Sequence, residues 1–227
     1  MQRILCREFS VNAKVSVAAS SVWGMRPHVV GHLAVSVDGV TAGFDVDLAR
    51  FYAMATLWQE DVTLVGADTI LAQEAALRSA PLPGPREAGP LLAVVDSRRR
   101  VREWDRLRDV GHWSDVLALY ADQTPARPPD SRTRELITGY DRVDLDDALQ
   151  QLGKSYDARV VRVDTGGTLL GVLLELGLVD ELSLLVHPVV VGSGPRWQGG
   201  FTGRLDLGLA NVEVFEGGVV WLRYCTL

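Results

Sequence analysis

The sequence predicts an α/β fold: a mixed, mostly parallel sheet flanked by helices and ending in an antiparallel hairpin. Three observations predict it. Short apolar runs alternate with helical stretches along most of the chain, a pattern that calls for strands joined by crossovers. Glycine-bearing turns lead from an apolar run straight into a helical pattern at 62–69 and again at 160–168. The last two apolar runs are joined through Glu216-Gly217-Gly218, a tight-turn signal that makes them a hairpin.

In chain order, residues 1–26 read as an extension ending at Arg26-Pro27, and 27–227 as the domain proper. Strands are expected at 29–37, 62–65, 91–95, 116–120, 159–163, 181–186, 207–214 and 219–224, and helices at 46–59, 69–77, 145–152 and 168–176. Two stretches read as loops: 81–90, with four prolines and two glycines, and 121–134, polar with three prolines. Loops of this length serve either as lids over a site or as plain surface insertions. The sequence contains no internal repeat and no low-complexity tract.

Bulk properties bound the function. A chain of 227 residues with 47% hydrophobic and 23% charged residues has enough apolar material for a sizeable core. A net charge of −6 argues against a general nucleic-acid-binding surface. Only Lys14 and Lys154 are lysines; the other basic residues are arginines, the better fork for bidentate phosphate contacts. Cys6 and Cys225 imply no disulfide framework, so a reducing cytoplasm is the expected location. Arg3, Arg7, Glu8 and Lys14 break up any signal-peptide pattern, and no apolar run approaches the roughly 20 residues that span a bilayer. No membrane partner is expected.

Four elements carry candidate chemistry. In the first strand, Val29, Gly31, Leu33, Val35 and Val37 make one face, while Val30, His32, Ala34, Ser36 and Asp38 make the other. Small Ala34 and Ser36 let a flat ring approach the backbone, with His32 and Asp38 beside it. An edge strand with one solvated face has the same pattern. The second element runs from a strand through Gly66 to Asp68 and Thr69, which are placed to cap the new helix or border an anion site at its free amides.

The third element is Asp164-Thr165-Gly166-Gly167-Thr168, between a buried strand and an apolar helix that continues with Leu169 and Leu170. Paired glycines there offer main-chain amides to a pyrophosphate, or make a plain connection. The pattern is neither a Walker loop nor GxGxxG. The fourth is Asp96-Ser97-Arg98-Arg99-Arg100, a strand end with a hydroxyl and guanidinium groups suited to a phosphate ester. Other centres are missing. His28, His32, His112 and His187 lack metal-ligand spacing, and no zinc-deaminase or serine-nucleophile motif occurs, so no metal is expected.

The stretches RPHVVGHLAVSVDG, VTLVGADTILAQ, LLAVVDSRRRV and VVRVDTGGTLLGVLLELGLVDELSLLVHPVVVGSG, in this order, resemble the pyrimidine reductases of riboflavin biosynthesis, over about residues 26–200. The resemblance implies a dihydrofolate reductase-like fold for 27–227, a homodimer, and hydride transfer from NADPH to a ribosylamino-pyrimidine phosphate. By position it assigns Ala34, Gly66, Thr69, Ser97, Arg98, Gly166, Gly167, Thr168, Leu169 and Leu170 to NADPH, with the glycine segment on the pyrophosphate and Ser97 and Arg98 on the 2′-phosphate. Asp164 takes the place of the family's substrate-facing acid, and His32 stands where a lysine or asparagine is frequent.

The departures lie on the substrate side. Val40 replaces a frequent lysine, and the serine and tryptophan common between Gly43 and Asp47 are missing. Gln73 replaces an acidic cofactor contact, and Arg78 is the available stand-in for an expected phosphate-binding arginine. These departures point to an NADPH-dependent reductase acting on a pyrimidine, pteridine or related heterocycle. Asp164 or Asp38 would orient the substrate, with His32 or water relaying the proton. The riboflavin-pathway 5-amino-6-ribosylamino-pyrimidine 5′-phosphate reductase itself and a non-catalytic NADPH-binding protein are the alternatives.

Overall fold

The computed structural model describes residues 26–126 and 132–227. All but the last residue of the expected extension at 1–26 lies outside them. The strands make a mixed, mostly parallel nine-stranded sheet. The chain divides into two compact units, one containing residues up to Leu57 together with Gly166–Leu227, the other Trp58–Thr165.

In the first unit, β1 (His28–Ser36) is followed by α1 (Leu48–Ala55), and the chain returns through α6 (Thr168–Glu175), β7 (Glu181–His187), β8 (Leu207–Val214) and β9 (Val220–Thr226). Strand β1 pairs with β7 in parallel, β7 with β9 antiparallel, and β9 with β8 as the expected hairpin. The helix expected at 46–59 spans only 48–55: it starts later because Asp47 caps it, its carboxylate accepting from Arg50 N at 3.0 Å, and it ends at Ala55 with Thr56 as C-cap. Strand β1 is not a half-solvated edge: seven of its nine residues are buried, and only His28 and Ala34 are half-buried.

The second unit holds β2 (Val62–Gly66), α2 (Ala67–Ala72), α3 (Glu74–Ser79), β3 (Leu91–Val95), α4 (Trp104–Asp109), β4 (Asp115–Tyr120), β5 (Arg134–Ile137), α5 (Leu145–Tyr156) and β6 (Val160–Val163). Its strands run parallel in the order β5-β4-β3-β2-β6. On one face Leu92, Val94, Val116 and Ala118 pack with Ile70, Leu77, Trp104 and Leu107 from α2, α3 and α4. The helix expected at 69–77 is two short helices meeting at Gln73. Helix α5 runs on from the expected 152 to Tyr156, where Asp157 ends it in the left-handed conformation with φ 53°.

No helix among the described residues is long and apolar enough to cross a membrane.

Polar residues inside the first unit form a chain. Trp221 Nε1 donates to Ser183 Oγ at 2.8 Å, Ser183 Oγ lies 2.9 Å from His32 Nδ1, and His32 Nε2 lies 2.9 Å from the Phe51 carbonyl. A carbonyl only accepts, so Nε2 carries the proton; Nδ1 then accepts from Ser183, whose oxygen in turn accepts from Trp221. The Phe51 ring stacks on the imidazole at 4.2 Å between centroids. We expect Ser183→Ala, which breaks this buried chain in the middle, to lower stability by about 1–3 kcal/mol. Urea unfolding checks it, and a midpoint unchanged from wild type would show that the chain contributes nothing.

Candidate functional site

Parallel strands bring their carboxyl ends to one edge, where open α/β sheets bind ligands. In the first unit that edge holds the turn after β1, the loop after β7 and the start of α6. The Asp38 carboxylate accepts from Ser36 Oγ at 2.7 Å, Val191 N at 3.1 Å and Gly192 N at 2.8 Å. Those three donors hold its pKa down at about 2. Arg196 donates to the Asp38 carbonyl, and Trp197 N donates to the Gly39 carbonyl at 3.1 Å. Asp38, expected to orient substrate, is therefore the staple between the turn and the loop that follows β7. The correction has a plain cause: its oxygens are committed to donors of its own unit.

His32 needs the same correction. It is fully buried, and both ring nitrogens are held by the groups named above. An imidazole with no solvent contact cannot relay a proton from water. Ala34, two residues on, is half-buried and keeps its place as a small residue on β1.

The glycine pair opens α6. A Cβ on Gly166 would come within 2.9 Å of Thr41 Cγ2 and 3.3 Å of Leu33 Cδ2, so a side chain is excluded there. Gly167 has φ +70°, and a Cβ on it would meet nothing nearer than the Arg196 carbonyl at 4.0 Å. Its own N–H is used, donating to the Trp197 carbonyl at 3.1 Å. The glycines thus supply shape more than donors. No side chain caps α6, so the amides of its first turn, at Thr168, Leu169 and Leu170, are the ones left for an anion.

In the second unit, the edge carries Thr69, Thr165, Asp164 and the Asp96–Arg100 turn. Helix α2 starts directly at Ala67 with Gly66 as an uncapped N-cap, so Asp68 and Thr69 lie inside its first turn and neither caps it. Thr69 Oγ1 meets Thr165 Oγ1 at 2.6 Å instead. Buried Asp96 folds the next turn around itself: its Oδ2 accepts from Val101 N at 2.8 Å and its carbonyl from Arg99 N at 2.9 Å.

The three arginines that follow part company. Arg100 pairs with Asp68 at 2.6 Å, and Arg99 donates to the Pro125 carbonyl at 2.9 Å. Arg98 is exposed and, among the described residues, in no ion pair. Ser97 Oγ accepts from Val143 N at 3.1 Å. Arg78, the stand-in for a phosphate arginine, pairs along α3 with Glu74 at 3.1 Å. No metal-binding group of His, Cys, Asp and Glu exists among the described residues.

Sequence reasoning missed Arg162. It is buried on β6, its Nε donating to Glu60 Oε1 at 2.8 Å and its Nη1 lying 3.0 Å from Asp164 Oδ2. Burial alone would depress this guanidinium; the charges of Asp164 and Glu60 outweigh it and raise its pKa. The available signal was a lone charge inside an apolar run, VVRV.

A family model described as the RibD C-terminal domain matches residues 27–221. The 2,5-diamino-6-ribosylamino-4(3H)-pyrimidinone 5′-phosphate reductase of Archaeoglobus fulgidus is 29% identical over 183 residues, covering 74% of this chain and 83% of that protein. The Escherichia coli riboflavin biosynthesis protein RibD is 29% identical over 189 residues, which are 75% of this chain and 50% of that protein. Among solved structures, Acinetobacter baumannii RibD (form 2) superposes with a TM-score of 0.69 at 22% identity, over 89% of this chain and 58% of that one. The Saccharomyces cerevisiae riboflavin biosynthesis reductase Rib7 gives 0.69 at 16% identity, over 92% and 94% of the two chains. The fold is the dihydrofolate reductase-like one that the motifs led us to expect.

The Asp38 staple has a pH signature. Its pKa of about 2 in the folded chain lies below the ordinary carboxylate value of about 3.9. Its contribution is complete above the unfolded value and lost as pH falls through the folded one. We expect wild-type stability to drop between roughly pH 4 and pH 2 more steeply than that of Asp38→Asn, followed by urea midpoints across that range. Parallel profiles would mean that the carboxylate does not hold the loop.

Proposed function

The chain belongs to the RibD C-terminal domain family, and from that membership we propose that it is an NADPH-dependent reductase delivering hydride to a pyrimidine, pteridine or related heterocycle. A reductase is what its named relatives are. The observation that carries the cofactor half is the bare turn at Gly166 and Gly167, one position closed to a side chain and the next facing open space. Such a turn fits a pyrophosphate, which needs backbone within reach and no side chain in its way. The uncapped first turn of α6 supplies donors, and Arg98, in no ion pair among the described residues, suits the 2′-phosphate that distinguishes NADPH from NADH.

We assign the amides of Thr168, Leu169 and Leu170 to the pyrophosphate, Ser97 and Arg98 to the 2′-phosphate, and Ala34, Gly66 and Thr69 to the rest of the cofactor. When bound, NADPH supplies the hydride. The chain's own residues orient the acceptor, keep water from the reacting carbon, and leave the new N–H or O–H proton to come from solvent. With His32 and Asp38 both engaged elsewhere, Asp164 is the acid retained for substrate orientation; its side chain is 26% exposed.

The names of the archaeal relatives, both 2,5-diamino-6-ribosylamino-4(3H)-pyrimidinone 5′-phosphate reductases, favour the riboflavin-pathway pyrimidine as the acceptor to try first. A homodimer is part of the proposal. The apolar residues Leu209, Val212 and Val214, exposed by 58%, 52% and 70% on β8, support it as a face suited to a second copy.

Two measurements test the assignment. Gly167→Ala puts a side chain at φ +70°, a backbone region that L-residues avoid, and projects it into the open space assigned to the pyrophosphate; we expect NADPH affinity by fluorescence titration to fall by about tenfold or more. Arg98→Ala is expected to lower the preference for NADPH over NADH by about tenfold while NADH affinity stays level. Wild-type affinity in the first, or wild-type preference in the second, refutes the corresponding contact.

A further inference from the structure

Strand β6 reads Val160-Val161-Arg162-Val163, and Val161 and Val163 are fully buried. A guanidinium at the third position gives up its hydration, and an apolar side chain of similar volume would suit the packing better. Arg162 Nη1 sits near Asp164 without being aligned as a hydrogen bond. Its register partner on β2, Thr63, also keeps a buried hydroxyl with no hydrogen-bond partner among the described residues. Packing alone does not select two such groups on neighbouring strands.

We propose that Arg162 is a positioning residue that acts through Asp164, fixing that carboxylate as an outward-facing anion for the amino groups of the heterocyclic substrate. The inference rests on the reductase function proposed above. Glu60 is what makes the arrangement work. Its Oε1 takes the Arg162 Nε at 2.8 Å and is itself only 12% exposed, so the guanidinium is neutralised from the buried side. One cation between two anions leaves the trio with a net negative charge, and Asp164 is its more exposed member. An anion braced in this way accepts N–H donors and repels carbonyl oxygens.

A double-mutant cycle tests this with 2,5-diamino-6-ribosylamino-4(3H)-pyrimidinone 5′-phosphate as acceptor and NADPH affinity measured separately by fluorescence. Asp164→Asn is expected to raise the acceptor KM by about tenfold, and Arg162→Met by a similar factor, each with NADPH affinity within about twofold of wild type. The double variant should be no worse than Asp164→Asn alone, because the arginine works only through that carboxylate. Arg162→Lys should recover part of the loss, since it restores the charge but not the fork.

If the two single losses multiply, or if Arg162→Met weakens NADPH as much as the acceptor, Arg162 is not a positioner of Asp164. A wild-type KM in Arg162→Met beside a raised KM in Asp164→Asn overturns this inference and leaves the proposed function standing. No NADPH oxidation by the wild-type chain with this acceptor overturns the inference for it, and none across a panel of pyrimidines and pteridines removes the proposed function as well. Should Arg162→Met fail to fold, Glu60→Gln serves. Arg162 then turns its whole charge on Asp164, and the acceptor KM should rise by about threefold or more with NADPH affinity level. An unchanged KM there counts as refutation.

Discussion

Parallel pairing imposes a constraint from which most of this architecture follows. Two parallel strands cannot be joined by a tight turn, so each must be followed by a crossover, and all the crossovers that leave the carboxyl ends start from the same edge. In the second unit β2, β3 and β6 run side by side or one strand apart; Gly66 ends β2 at that edge, and Asp96 and Asp164 directly follow β3 and β6. In the first unit β1 and β7 do the same with Asp38 and the loop from Pro188 to Trp197. Chemistry collects where backbone is still looking for partners. At the opposite ends the free groups are tied off, as when Arg26 pairs with Asp180 at 2.8 Å beneath β1 and β7.

Within each unit, carboxylates at this edge do unlike work. Asp96 is buried and folds its own turn; Asp38 spends its oxygens on a neighbouring loop; Asp164 is braced by an arginine and left partly open. Three aspartates that each follow an apolar run are one motif to the eye. What separates them is whether backbone donors reach the carboxylate: Val101 N does for Asp96, Val191 N and Gly192 N do for Asp38, and none does for Asp164 among the described residues. A carboxylate that takes backbone N–H donors becomes structure, and one held by a side chain alone keeps a side for a ligand.

Where the sequence carried a period, it was legible. The strands at 91–95 and 207–214 have the expected bounds, and the hairpin turn through Gly217 and Gly218 falls where the paired glycines put it. Strand β5 was hidden because it lies at the edge and buries nothing fully: its four residues are exposed or half-buried, so no alternation marks it. Helix α4 was hidden differently. Trp104 and Leu107 give it a buried pair three residues apart, but six residues hold too few turns for a period, and the flanking arginines read as a charge run. The break at Gln73 is a local backbone choice, its N–H shared between the carbonyls of Ile70 and Leu71, and no residue type announces it.

His32 and Arg162 show what a strand sequence conceals about its polar residues. Both sit at alternate positions among valines and leucines, and each is the kind of residue that invites a functional assignment. For His32 the assignment fails, because Ser183, Trp221 and the Phe51 carbonyl complete its hydrogen bonding inside the core, and a satisfied polar group costs little to keep. For Arg162 the completion is partial: one edge of the fork is met by Glu60, and the other is turned toward a residue that remains in contact with solvent. Burial does not separate the two, since both side chains are inside. The difference lies in whether the chain of partners closes within the core or runs out to the surface. A closed chain serves the fold, whereas an open one leads to the residue at its end, and here that residue is Asp164.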